Sequence, residues 1–256
     1  MTTNKTYLLL ILGLLFTSVQ YSQEQFKALL FTKTAGWHHE SIHEGVTAIR
    51  ELSKKHNFEV QWHEDASRIN DDFLKQFQVI IFLNTTGDIL NEQQQQAFEN
   101  FIRSGKGFVG IHSASDTEYG WPWYKKLVGR MFKIHPIPQT AMLQLEDANF
   151  PGMEFLPKRF LWTDEWYEFQ PEVYSEDLNI LLSLDETSYD VEAQWGENIG
   201  KGMGEHPIAW YQNFDGGRSF YTGLGHIPAA YKDPLFLKHL YGGIYWAATG
   251  KGIKKP

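Results

Sequence analysis

Apolar positions along this chain follow two periods. Residues 26–32 (FKALLFT) form a continuous apolar run, and in the following stretch, 41–55, Ile42, Val46, Ile49 and Leu52 fall on one helical face. The chain therefore opens as strand, loop, helix. A second short strand is predicted over 58–63, a helical turn over 71–77, and a third strand over 79–83 (VIIFL). Uninterrupted apolar strands of this kind suit a parallel sheet covered on both faces. Asn91 can cap a helix that runs through Arg103, and Gly105 and Gly107 break it before a fourth strand at 108–111.

From 133 to 198 the pattern becomes irregular. Pro136, Pro138, Pro151, Pro157 and Pro171 interrupt short apolar runs such as 179–184 (NILLSL), which predicts an insertion covering the functional edge of the sheet. Order returns in 207–211, the turn Asp215-Gly216-Gly217 and 218–222, read together as a hairpin. Residues 233–248 form a closing helix. Strands alternating with helices at this spacing specify an α/β, flavodoxin-like, doubly wound and mostly parallel sheet.

The 256 residues suffice for one large α/β domain, expected over 23–256. Residues 1–22 have the order of a signal peptide: Lys5, an apolar run over 7–16, then small and polar residues. That run is short for a bilayer-spanning helix, so the expected location is secreted or periplasmic, with no membrane association after cleavage. The chain has no cysteine, which excludes disulfides, thiolate nucleophiles and thiolate metal sites. A net charge of -8 disfavours a nucleic-acid surface. Nine tryptophans, among them Trp37, Trp166 and Trp195 in polar surroundings, suit either packing or stacking on sugar rings.

In an open α/β sheet ligands sit beyond the carboxyl ends of the strands. His38 and His39 follow the first strand there, His112 the fourth and His226 the last. Imidazole suits both proton transfer near neutral pH and metal ligation. Gly110-Ile111-His112-Ser113-Ala114 has the form of a nucleophile elbow with an imidazole at its centre, so acyl-enzyme chemistry lacks its usual Ser or Cys. His39-Glu40-Ser41-Ile42-His43 matches the zincin pattern and keeps a zinc-peptidase reading open. Gly105-Lys106-Gly107-Phe108-Val109-Gly110 spells a dinucleotide fingerprint but precedes a strand instead of following one. Asp164 and Glu165, between aromatics, can deliver a carboxylate as ligand or base; His206 and Arg218 flank the hairpin as candidate substrate contacts.

Several segments together carry a resemblance: residues 31–42 (FTKTAGWHHESI), 83–88 (LNTTGD), 110–114 (GIHSA), 163–167 (TDEWY), 206–210 (HPIAW) and 223–226 (GLGH). In this order they resemble the successive motifs of ThuA-like, trehalose-utilisation domains. The resemblance implies a class I glutamine amidotransferase-like sheet and a role in the use of trehalose or another sugar. It also places His112 where the amidotransferases carry cysteine. Neither His226 nor His206 is followed two residues later by an acid (Pro228 and Ile208 stand there), so amidotransferase activity is not expected. Members of that family do not need a histidine at the place of His43, which weakens the zincin reading.

The expectation is an enzyme acting on a carbohydrate or keto-sugar, as hydrolase, lyase or isomerase. Its catalytic residues would be His112, His39, His226, Glu165 and Asp164, and Trp37, His38, Trp166, His206 and Arg218 would contact substrate. His39, His112 and His226 would ligate a divalent metal such as zinc if one is used. The alternatives are a non-catalytic sugar-binding protein and the zinc peptidase.

Overall fold

The computed structural model describes residues 25–172, 174–175 and 178–252. The leader-like segment falls outside them. The chain runs β1 (Lys27–Phe31), α1 (Ile42–His56), β2 (Glu59–His63), α2 (Asp71–Leu74), β3 (Val79–Leu83), α3 (Glu92–Arg103), β4 (Gly107–Ile111) and α4 (Pro122–Val128). It continues through β5 (Phe132–Ile134), β6 (Gln139–Leu145), β7 (Arg159–Asp164), β8 (Glu168–Phe169), β9 (Asn179–Asp185), β10 (Glu192–Trp195), β11 (Asn198–Lys201), β12 (His206–Phe214), β13 (Gly217–Thr222) and α5 (Pro234–Thr249).

Nine strands form one mixed sheet in the order β2-β1-β3-β4-β13-β12-β9-β6-β7. The first five are mutually parallel and the last four are added antiparallel. Four successive reversals leave β7 pointing the same way as β13. Seven of the nine strands therefore share one direction, and their carboxyl ends share one rim.

Local chemistry explains the parallel half. Every residue of β3 and β4 is buried, because helices cover both faces. Asn91 and Gln94 form a reciprocal capping box that starts α3. Asp233 accepts from the amides of Leu235 and Phe236 to start α5. Phe98 of α3 and Tyr124 of α4 pack on Phe82 and Phe108 from one side. On the other side α5 lies close to the sheet because Gly243 faces Phe220, where a Cβ would come within 2.4 Å of the ring. The hairpin between β12 and β13 turns on Asp215 and Gly216, both at positive φ.

The segment read as an irregular insertion differs. It supplies β6, β7 and β9 to the main sheet, while β5 pairs with β8 and β10 with β11 in two small ribbons. These strands are half-exposed and broken by proline, so neither a clean alternation nor a continuous apolar run marks them. Among the described residues no helix is long and apolar enough to cross a membrane.

Candidate functional site

Four strand ends on the shared rim meet at one point. His39 lies in the loop after β1, His112 directly after β4, His226 four residues after β13, and Glu165 directly after β7. The arrival of β7 is the least expected. It lies four strands from β13, about 19 Å away in a flat sheet, yet Asp164 at its end bonds the loop after β13. The antiparallel half and that loop bend toward one another.

Asp164 makes this closure. Its buried carboxylate accepts from the amides of Gly225 (2.9 Å), His226 (3.0 Å) and Ile227 (3.3 Å), from its neighbour Glu165 (3.0 Å), and from Trp162 Nε1 (3.2 Å). Burial pushes its pKa up to about 6 against those donors. With its oxygens spent on the loop, Asp164 is not available to a ligand; it positions His226.

His112 occupies the predicted elbow with φ 50°, a strained conformation for a residue with a side chain, and its ring is wholly buried. Its Nδ1 donates to the Gly223 carbonyl at 2.9 Å, which leaves an Nε2 lone pair directed inward. There Nε2 lies 3.3 Å from His226 Nδ1 and 3.4 Å from Glu165 Oε2, and His226 Nδ1 lies 3.2 Å from that same oxygen. His39 completes the group, its Nδ1 held 3.3 Å from Ser113 Oγ and its ring edge-on to those of His112 and His226. One donor atom from each of the four residues falls within 4.8 Å of the others. Burial, reinforced by the neighbouring imidazoles, lowers His39 to about 2, and burial lowers His112 to about 3. Burial and His112 lower His226 to about 4. The rings are neutral at ordinary pH. Burial raises Glu165, and His135 and His226 oppose the shift.

A cleft of about 460 Å³ opens onto this group, with Trp37, Phe132, Tyr167 and Trp195 as walls and His39, Asp116, His135, Glu165 and His226 as polar lining. Tyr167 packs on His112 with ring centroids 4.2 Å apart. Trp37 is 73% exposed and Trp195 47%, so both present free ring surface.

Other residues singled out in the sequence lie elsewhere. Glu40 and His43 are exposed, and α1 begins only at Ile42, so the zincin pair never sits on one helical face and does not converge. His38 is exposed beside Thr34, outside the cleft lining. Trp166 is sealed in the core, donating to the Gln139 carbonyl. His206 is buried between Glu186 and the Tyr167 carbonyl. Arg218 sits at the opposite end of β13, its guanidinium spent on the carbonyls of Ala247, Gly105 and Ala248. Sequence reasoning missed His135 and Asp116. Both follow segments that carry a signal, a short apolar run before Pro136 and the His112 elbow, but neither ends a strand of the predicted parallel set.

The profile of the ThuA family, described as trehalose utilisation, matches residues 27–247. A ThuA-like protein of Bacteroides uniformis superposes with TM-score 0.74 at 25% identity, covering 91% of this chain and 95% of its own. A ThuA-like protein of Parabacteroides merdae gives TM-score 0.71 at 21% identity, covering 90% and 92%. A β-galactosidase of Bacillus circulans shares the fold at TM-score 0.54 and 13% identity, over 90% of this chain and 32% of the enzyme. No curated protein sequence matches. The sheet is of the class I glutamine amidotransferase-like type, and the chain belongs to the ThuA family.

Proposed function

We propose that His39, His112, His226 and Glu165 form a zinc-type divalent-metal centre at the floor of a carbohydrate-binding cleft, and that the protein is an enzyme acting there on a sugar or keto-sugar. The observation that carries this is the spacing of acceptors. His112 Nε2, His226 Nδ1 and Glu165 Oε2 stand 3.2, 3.3 and 3.4 Å apart. A tetrahedral ion with bonds of about 2.1 Å needs ligand atoms roughly 3.4 Å apart. In the tautomer of His226 with its hydrogen on Nε2, all three atoms turn lone pairs toward one point, the arrangement that a cation would fill. Three imidazoles and one carboxylate suit zinc or a related first-row ion.

A bound ion would supply Lewis-acid polarisation of a sugar oxygen or an acidified water. The chain's own residues do the rest. Gly223 and Ser113 fix the orientation of His112 and His39 from behind, as second partners of metal-bound histidines commonly do. His135 turns Nδ1 to the Pro136 carbonyl and stands with Nε2 3.3 Å from Glu165 Oε1 on the cleft side of that carboxylate. Trp37 and Trp195 offer faces on which a sugar ring can stack. The family's link to trehalose utilisation supports a small carbohydrate as the partner. The net charge of -8 argues against nucleic acid. A secreted or periplasmic location belongs to the same proposal, and N-terminal sequencing of the mature protein tests it.

Elemental analysis of the purified protein, then calorimetric titration of metal-stripped protein with zinc, is the direct test. About one ion per chain, lost in His112→Ala, is expected, followed by turnover in a screen against trehalose and 3-keto-disaccharides. A protein that takes up no metal in either form sinks the proposal. The exposed tryptophans also favour a second reading, sugar binding without turnover; it predicts sugar affinity unchanged in His112→Ala.

A further inference from the structure

Arg130 differs from Arg103, Arg159 and Arg218, whose guanidinium groups all have acceptors. Arg103 pairs with Glu99 and Asp215, Arg159 with Asp185, and Arg218 is spent on three backbone carbonyls. Arg130 follows Gly129, whose φ of 93° turns the chain out of α4 toward β5. Among the described residues its Nε is sealed from solvent with no acceptor. Burial pulls its pKa down with no carboxylate opposing the shift. A half-buried guanidinium left in this way costs free energy that an anion would recover.

The side chain lines a second cavity of about 450 Å³ against β6, β9 and the start of β12, together with Gln144, Glu146, Ser183, Glu205 and His206. Both ring nitrogens of His206 are engaged with Glu186 and Tyr167, so it is only a wall. Glu146 is occupied by the Ser183 hydroxyl. The guanidinium fork fits a carboxylate or phosphate through two parallel hydrogen bonds, and the side-chain amide of Gln144 can add a neutral donor. Glu205, in the wall of the same cavity, can accept from hydroxyl groups of the bound molecule.

We propose that this cavity binds a small hydroxylated oxyanion, a sugar acid or sugar phosphate, with its anionic head on Arg130. The site is separate from the histidine-lined cleft and does not depend on the reading given for it.

The test uses the full chain, with inorganic phosphate, glucose 6-phosphate, glucuronate and glucose as probes, in thermal melts and calorimetry at matched ionic strength. The expected result is saturable binding of the anionic probes and none of glucose, with affinity lowered at least about tenfold in Arg130→Gln, as loss of a charge-assisted pair implies. Arg130→Lys, which keeps the charge and loses the fork, falls between. Gln144→Leu weakens binding severalfold and serves if Arg130→Gln does not fold. Comparison of glucuronate with glucose 6-phosphate decides which head group the site takes. Affinity is retained in His112→Ala, which separates this site from a metal that could itself hold phosphate. The proposal is overturned if no anion saturates below about 10 mM, if Arg130→Gln and Gln144→Leu bind as wild type, or if binding vanishes in His112→Ala alone.

Discussion

Two histidine-carboxylate groups, each centred on a buried histidine, lie on either side of Tyr167, and they are built differently. In one, His206 gives Nδ1 to Glu186 at 2.8 Å and Nε2 to the Tyr167 carbonyl at 2.9 Å, while Glu186 also takes the Met203 and Gly204 amides. Every donor there has its acceptor. In the other, His112 Nε2 and Glu165 Oε2 present lone pairs to one another, with His226 Nδ1 beside both. The first group is complete as folded and holds the antiparallel half together. The second brings its donor atoms close enough together to hold a cation. Residue types are the same in both and both central histidines are buried, so hydrogen-bond bookkeeping is what separates a structural histidine from a candidate ligand.

The sharpest way to break this comparison is His112→Ala. Zinc affinity should fall by more than about 100-fold, because loss of a mere supporting partner already costs 10–100-fold. Zinc titration of the stripped protein reads this directly, and retained affinity would remove the distinction. Next in size is Asp164→Asn. Its carboxylate holds Gly225, His226 and Ile227 in place. The variant should weaken zinc binding about 10-fold or more and lower the melting temperature, since His226 is no longer fixed. Ser113→Ala removes only the hydroxyl beside His39 Nδ1. An effect of a few fold on zinc affinity, with the melting temperature nearly unchanged, is expected there.

The parallel half was legible because its signals are local. The period of residues 41–55, the Asn91 cap and the Asp215-Gly216 turn each act over a few residues, and each appears as expected. The three histidines were legible for the same reason, since each follows a predicted strand. What could not be read was the antiparallel half beyond the β12–β13 hairpin. Whether residues 159–164 form a strand that returns to the shared rim depends on four antiparallel pairings, none of which leaves a mark within the segment. Asp164 therefore looked like a catalytic acid, whereas it ties the rim together. His206 and Arg218 looked like substrate contacts for a related reason: polar side chains near strand ends are equally suited to closing backbone groups within the fold.

The smallest expected effect on metal tests the other side of the comparison. Glu186→Gln should leave zinc affinity unchanged and lower stability by about 1 kcal/mol, an amount kept modest because the carboxylate is partly exposed. Its pH dependence has a definite sign. The His206 hydrogen bond depresses Glu186 from the ordinary value near 4.5 to about 2 in the folded protein. Protons therefore bind more readily to the unfolded chain in that window. The stabilisation is fully present above pH 4.5 and is lost as pH falls toward 2. Chemical denaturation of both proteins across this range should show wild type ahead of the variant above pH 4.5 and the gap closing below it. A constant gap at every pH would mean that the Glu186 charge contributes nothing, and a change in zinc affinity would mean that the two groups are one network.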